Sequence, residues 1–87
     1  MVTIYILKLS DGTYYTGMTN NIGRRMTQHD SGYSRSTKRK LPAKLVYATK
    51  RSNYKEARLI EKYIKKRGAR QFMLLMLYNP IIEGKFY

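Results

Sequence analysis

The chain has 87 residues, no cysteine, one histidine, and 18 lysines and arginines against five acids, a formal net charge of +13. That length supports one domain with a single modest core, and the missing cysteine excludes disulfides and thiolate metal sites. No apolar run approaches the roughly 18 residues of a membrane span, and Met1-Val2-Thr3 lacks the pattern of a signal peptide, so a cytoplasmic protein without membrane contact is expected.

Thr3 to Leu9 is β-branched and aliphatic and predicts a strand. Ser10-Asp11-Gly12 is turn chemistry, and Thr13 to Met18 predicts the return strand. Loop length decides what the two strands share. A two-residue Asp11-Gly12 turn pairs Leu9 with Tyr14 and puts Tyr5 and Tyr15 on opposite faces. A three-residue loop, with Gly12 left-handed in a G1 bulge, pairs Leu9 with Thr13. Leu7 then faces Tyr15, Tyr5 faces Gly17, and both tyrosines share one face. We expect the three-residue loop, with Gly17 leaving room beside the Tyr5 ring.

Asn20 or Asn21 caps a helix that runs to about Asp30 and is closed by Ser31-Gly32. Arg25 and His29 are four apart and lie on one face; Ile22 and Met26 form another stripe, turned to the core. Residues 33 to 44 carry Arg35, Lys38, Arg39, Lys40 and Lys44 with no acid among them. A solvated connection is one reading. The unneutralised run favours a phosphate-contacting arm, stiffened at its exit by Pro42. Lys44 to Lys50 alternates as a third strand.

Asn53, with Glu56 three residues on, starts a helix like a capping box. It runs to about Arg67, with Ala57, Ile60 and Ile64 facing inward. Lys65-Lys66-Arg67 suits the negative end of the helix dipole, and Gly68 is a C-cap. Phe72, Leu75 and Met76 predict a last short helix, stopped near Asn79-Pro80, and residues 81 to 87 read as a tail. The order β-β-α-β-α-α over residues 1 to 87 gives a single α+β domain, a small three-stranded antiparallel sheet covered by helices.

The cationic excess repels itself unless a polyanion is near, and nine tyrosines offer faces on which bases stack. Nucleic acid is therefore the expected partner. Charge does not separate DNA from RNA, or a nuclease from a passive binder. Hydrolysis of a phosphodiester needs an activated water, positive charge at the phosphorus oxygens, and help for the leaving group.

Of the five acids, Asp11 belongs to the turn, Asp30 ends a helix, Glu56 caps one and Glu83 lies in the tail. Glu61 remains. No two acids are spaced for a two-metal clamp, so one Mg²⁺ or Mn²⁺ held by Glu61 and waters is the expected metal. The alternative is a surface pair of Glu61 with Lys65 or Arg58. Arg25 offers a fork that fits a phosphate, while Arg24 faces elsewhere; a solvated arginine is the alternative for either. His29 is the only side chain whose ordinary pKa is near neutrality; the alternative is a polar residue at a helix end. Tyr5 and Tyr15 could orient a water or shuttle its proton, although a phenol with a pKa near 10 is a poor base. Two half-buried strand tyrosines are the other reading.

Together, Thr3-Ile4-Tyr5 followed by Tyr15-Thr16-Gly17, then Arg25, His29 and Glu61, resemble the GIY-YIG endonucleases. The likeness covers about residues 3 to 68 and is greatest to the small stand-alone bacterial members and to the incision domain of the excision-repair protein UvrC. Thr3 stands where the family name has glycine, Thr16 replaces isoleucine, and Met18 stands where the repair enzyme has lysine. Asn79 is a candidate for a late asparagine of the family.

The resemblance implies metal-dependent hydrolysis of DNA phosphodiesters, with Glu61 on the metal and Arg25 at the scissile phosphate. Tyr5, Tyr15 and His29 would position or deprotonate the attacking water, with the choice of base open. No DNA-recognition domain is attached, so low sequence specificity is expected, with structure-selective or repair-related cutting and any targeting left to a partner protein. Neither RNA as the substrate nor any oligomeric state is decided by the sequence. A non-catalytic nucleic-acid-binding module on the same fold is the alternative function.

Overall fold

Gly12 sets the geometry of the hairpin. Its φ of +85° is open to glycine at no steric cost, and it closes a turn in which Gly12 N donates to Leu9 O and Leu9 N donates to Thr13 O. The loop is the three-residue form. The computed structural model describes residues 1–32 and 37–78. In it β1 (Val2–Lys8) pairs with β2 (Tyr14–Thr19) in the register expected, Leu7 with Tyr15 and Tyr5 with Gly17.

β1 also pairs antiparallel with β3 (Lys44–Arg51), with a register shift after Ile6. The sheet order is therefore β2-β1-β3, and β1 is its central strand. Alternation along β1 divides the core in two. Val2, Ile4 and Ile6 point to one face, where Ala57, Ile60, Ile64 and Phe72 cover them. These four belong to α2 (Tyr54–Arg67) and α3 (Ala69–Tyr78). Tyr5, Leu7 and Leu9 point to the other face, under Ile22 and Met26 of α1 (Ile22–Asp30) and Ala43.

The helix ends follow local chemistry. Asn21 caps α1 by accepting from Arg24 N, and Asn53 caps α2 by accepting from Glu56 N. Gly68, at φ +94°, ends α2. One element differs from expectation: within the basic segment, Lys38–Lys40 forms a turn of 3₁₀ helix rather than open loop. It is tethered to the hairpin, since Ser10 N donates to Lys40 O and the Lys40 ammonium lies 3.2 Å from Asp11 Oδ2. Residues 33–36, with Arg35, and residues 79–87, with Asn79, Glu83 and the tail, lie outside the described residues.

Candidate active site

Tyr5 stands at the middle of the central strand and has no exposed surface. Its ring fits because residue 17 is glycine; a Cβ there would overlap the Tyr5 phenol and press on Tyr15. One turn apart on α1, Arg25 and His29 reach the phenol from above. Arg25 Nε donates to the Tyr5 oxygen at 3.2 Å, and His29 Nε2 lies 3.0 Å from it. Arg25 Nη1 is held by Gln28 Oε1 at 3.1 Å. The Tyr15 and His29 rings meet edge-on at 5.3 Å, and the Tyr5 and Tyr15 rings are 6.3 Å apart. The structure thus brings Tyr5, Tyr15, Arg25 and His29 into one cluster. His29 is not a surface residue: it is fully buried, as is Tyr5.

A partner that the sequence reading missed completes the network. Thr37 is fully buried, and its Oγ1 lies 2.8 Å from His29 Nδ1. Arginine only donates. Arg25 donates to the phenol oxygen, and that oxygen and the Thr37 hydroxyl lie within hydrogen-bond distance of the two His29 ring nitrogens, so a continuous chain of polar contacts runs from Arg25 through Tyr5 and His29 to Thr37. Burial pulls the His29 pKa below its usual 6.5, and the Arg25 charge pulls it further against the opposing Asp30. The imidazole is therefore neutral at pH 7. Burial pushes the Tyr5 phenol above 10.0, outweighing the Arg25 hydrogen bond that lowers it. Arg25 is raised in turn, chiefly by the Tyr5 hydrogen bond and also by Tyr15.

Tyr15, like Arg25, is half-buried. With Tyr14, Thr16, Lys65 and Ala69 it lines a cleft of about 330 Å³ between β2 and the end of α2. Glu61 sits one turn back from Lys65 on α2, outside the four-residue cluster and not among the residues that line the cleft. Its side chain is 18% exposed and its Oε2 lies 3.6 Å from Lys65 Nζ, so the surface pair weighed above is formed. Among the described residues no three His, Cys, Asp or Glu side chains gather. A metal at Glu61 would rest on that one protein carboxylate. Such a donor set fits Mg²⁺, which keeps several waters and commonly takes only one or two carboxylates.

Of the basic arm, Lys38, Arg39 and Lys44 are exposed, while the Lys40 ammonium is engaged by Asp11. No helix among the described residues is long and apolar enough to cross a membrane.

Against known proteins, the family model described as the GIY-YIG catalytic domain matches residues 1–79. A UPF0213 protein of Clostridium perfringens is 38% identical over 84 residues, which cover 95% of this chain and 90% of that one. Another, from Lactococcus lactis subsp. cremoris, is 34% identical over 83 residues, 94% of this chain and 85% of that one. The solution NMR structure of a UPF0213 protein from Bacillus halodurans matches with a TM-score of 0.58 and 31% identity, covering 91% of this chain and 86% of that one.

Proposed function

Since this chain belongs to the GIY-YIG catalytic-domain family, a family of nucleases acting on nucleic acid, we propose that it is a metal-dependent endonuclease that hydrolyses DNA phosphodiesters with low sequence specificity. Branched or damaged DNA is the substrate class we favour. The observation that carries the reading is the fully buried Tyr5–His29 pair held under Arg25, which reaches solvent through Tyr15. Buried polar groups cost free energy unless they are satisfied, and a passive binder of phosphates has no use for such a network.

Exposure separates the roles. Tyr15 is the phenol that an attacking water can meet. Its hydroxyl is close enough to Tyr5 and Arg25 to perturb both. We assign a proton relay: the water's proton passes to Tyr15, that of Tyr15 to Tyr5, and that of Tyr5 to His29 Nε2. Each phenol ends as it began and His29 ends as imidazolium, so the poor basicity of tyrosine is no obstacle. Arg25, always charged, would meet the phosphorus oxygens with the part of its guanidinium turned from Tyr5. Glu61 would hold one divalent ion, which when bound lowers the pKa of its water and offsets charge on the phosphate. The exposed Lys38, Arg39 and Lys44, with Arg35, would follow the backbone of the nucleic acid.

A second reading is a non-catalytic nucleic-acid-binding module, supported by the Glu61–Lys65 pair, which gives the carboxylate a partner inside the protein. One experiment decides between them. Branched and plain duplex DNA are incubated with Mg²⁺ or Mn²⁺ and either the wild type or Glu61→Ala. The wild type should cut and Glu61→Ala should lose on the order of 100-fold or more in rate. Equal product from both proteins, or none from either, rules out the nuclease. Arg25→Ala should lower turnover far more than it lowers DNA binding.

A further inference from the structure

Thr37 immediately precedes the Lys38–Lys40 turn, in the position where a threonine usually turns its oxygen back to cap the helix. It makes no side-chain cap hydrogen bond there. Its hydroxyl instead meets His29 Nδ1 at 2.8 Å, inside a contact with no solvent on either side. A local capping bond has been forgone for a bond to one particular ring nitrogen. The turn that carries Thr37 is itself held, by its backbone and by Lys40, to the hairpin loop. The threonine is therefore fixed relative to the strand that carries Tyr5.

We propose that Thr37 is a positioning residue for the relay described above: it holds His29 as the Nδ1–H tautomer, so that Nε2 stays bare to take the Tyr5 proton. A threonine hydroxyl can take either role toward Nδ1; the polarity is favoured from the other end, where Arg25 already donates to the Tyr5 oxygen, and Thr37 supplies the acceptor that the resulting Nδ1–H requires. The opposite polarity would put a His29 hydrogen on the Tyr5 oxygen beside that of Arg25, and turn the phenol proton away from the cluster's base. The groups facing His29 are Tyr5 from β1, Tyr15 from β2, Arg25 and Asp30 on α1, and Thr37. Of these, Thr37 alone engages Nδ1 among the described residues. The proposal rests on the nuclease reading for its catalytic consequence, but the tautomer itself does not.

The chain has a single histidine, so ¹⁵N NMR of the labelled protein above the imidazole pKa reads that ring without ambiguity. The wild type should show a protonated Nδ1 and an unprotonated Nε2. Thr37→Ser keeps the hydroxyl and should give the same spectrum. Thr37→Val keeps the shape and should move the ring toward the Nε2–H form. In DNA cleavage Thr37→Val should lower kcat by about tenfold or more, the range for a lost partner that fixes a functional histidine. KM should stay within about twofold, and Thr37→Ser should restore the rate. A wild-type Nε2–H spectrum, or an unchanged ring in Thr37→Val, overturns the proposal. If Thr37→Val melts, the wild-type spectrum and the Thr37→Ser protein decide. A wild type with the expected tautomer that cuts no DNA overturns the nuclease reading alone.

Discussion

The Tyr5 hydroxyl lies 3.0 Å from His29 Nε2, although 24 positions separate the two residues, and neither has any surface in contact with water. The pair forms because the strand and the helix are placed by unrelated forces: pairing on both edges for β1, and the packing of Ile22 and Met26 for α1. Changes that leave those forces intact but shift the phenol therefore test the chemistry rather than the fold.

Gly17→Ala is the sharpest of these. The added methyl meets the Tyr5 phenol and Tyr15, so the ring must move or the strand must yield. Overpacking of this kind costs roughly 1–3 kcal/mol. The melting temperature followed by circular dichroism should fall accordingly. Cleavage measured well below the melting temperature should fall more than the folded fraction does, because the Tyr5 oxygen leaves Arg25 and His29.

Stability should depend on pH in two windows. His29 has a folded-state pKa below 6.5, so the unfolded chain binds more protons there and stability is lost as pH falls below about 6.5. Asp11 is lowered from 3.8 to about 2, first by the Thr13 hydroxyl and backbone. Its contribution is present above 3.8 and lost on the way to 2. Denaturation at a series of pH values should show both declines in the wild type, and His29→Gln should remove only the upper one. Cleavage should rise with pH as His29 becomes neutral and then level off.

Lys65 competes with any cation for Glu61, at 3.6 Å. Removing that competitor should tighten divalent-ion binding. The lysine is more than half exposed, and exposed pairs are worth roughly 0–1 kcal/mol. A gain of about two- to fivefold in Mn²⁺ affinity is therefore expected for Lys65→Met, read by electron paramagnetic resonance of the free ion without DNA. Glu61→Gln should weaken binding strongly. Unchanged Mn²⁺ affinity in both variants removes Glu61 as the metal ligand.

The arm should show itself in salt dependence. Lys38→Ala, Arg39→Ala and Lys44→Ala should each reduce the slope of log K against log salt by about 0.9, the value of one phosphate contact. Lys40→Ala should reduce it less, because its ammonium is already paired with Asp11. Fluorescence anisotropy with a labelled duplex at several salt concentrations measures the four slopes.

What could be read from the chain beforehand follows how local each determinant is. Gly12 and the alternation of β1 were enough for the hairpin register and hence for the shared face of Tyr5 and Tyr15. Asn21, Asn53 and Gly68 mark helix ends through bonds to neighbours three or four residues away. The complete burial of Tyr5 and His29 was not legible, because it depends on how closely α1 lies on the sheet. Thr37 was missed for the same reason. Its partner sits eight positions back in the chain, and a threonine in a basic segment carries no local mark of that bond. The Lys38–Lys40 turn has no signal of its own in the sequence, since its tether to Ser10 and Asp11 is tertiary.

Because β1 is bonded to a neighbour along both edges, it cannot breathe on its own; opening it means opening the sheet. The phenol it carries is therefore a fixed landmark in a small molecule, and adaptation to a substrate falls to the parts around it. Those parts are a lysine at the cleft and a string of surface cations. A nuclease built this way would meet differently shaped DNA by adjusting its grip while its reactive centre stays still.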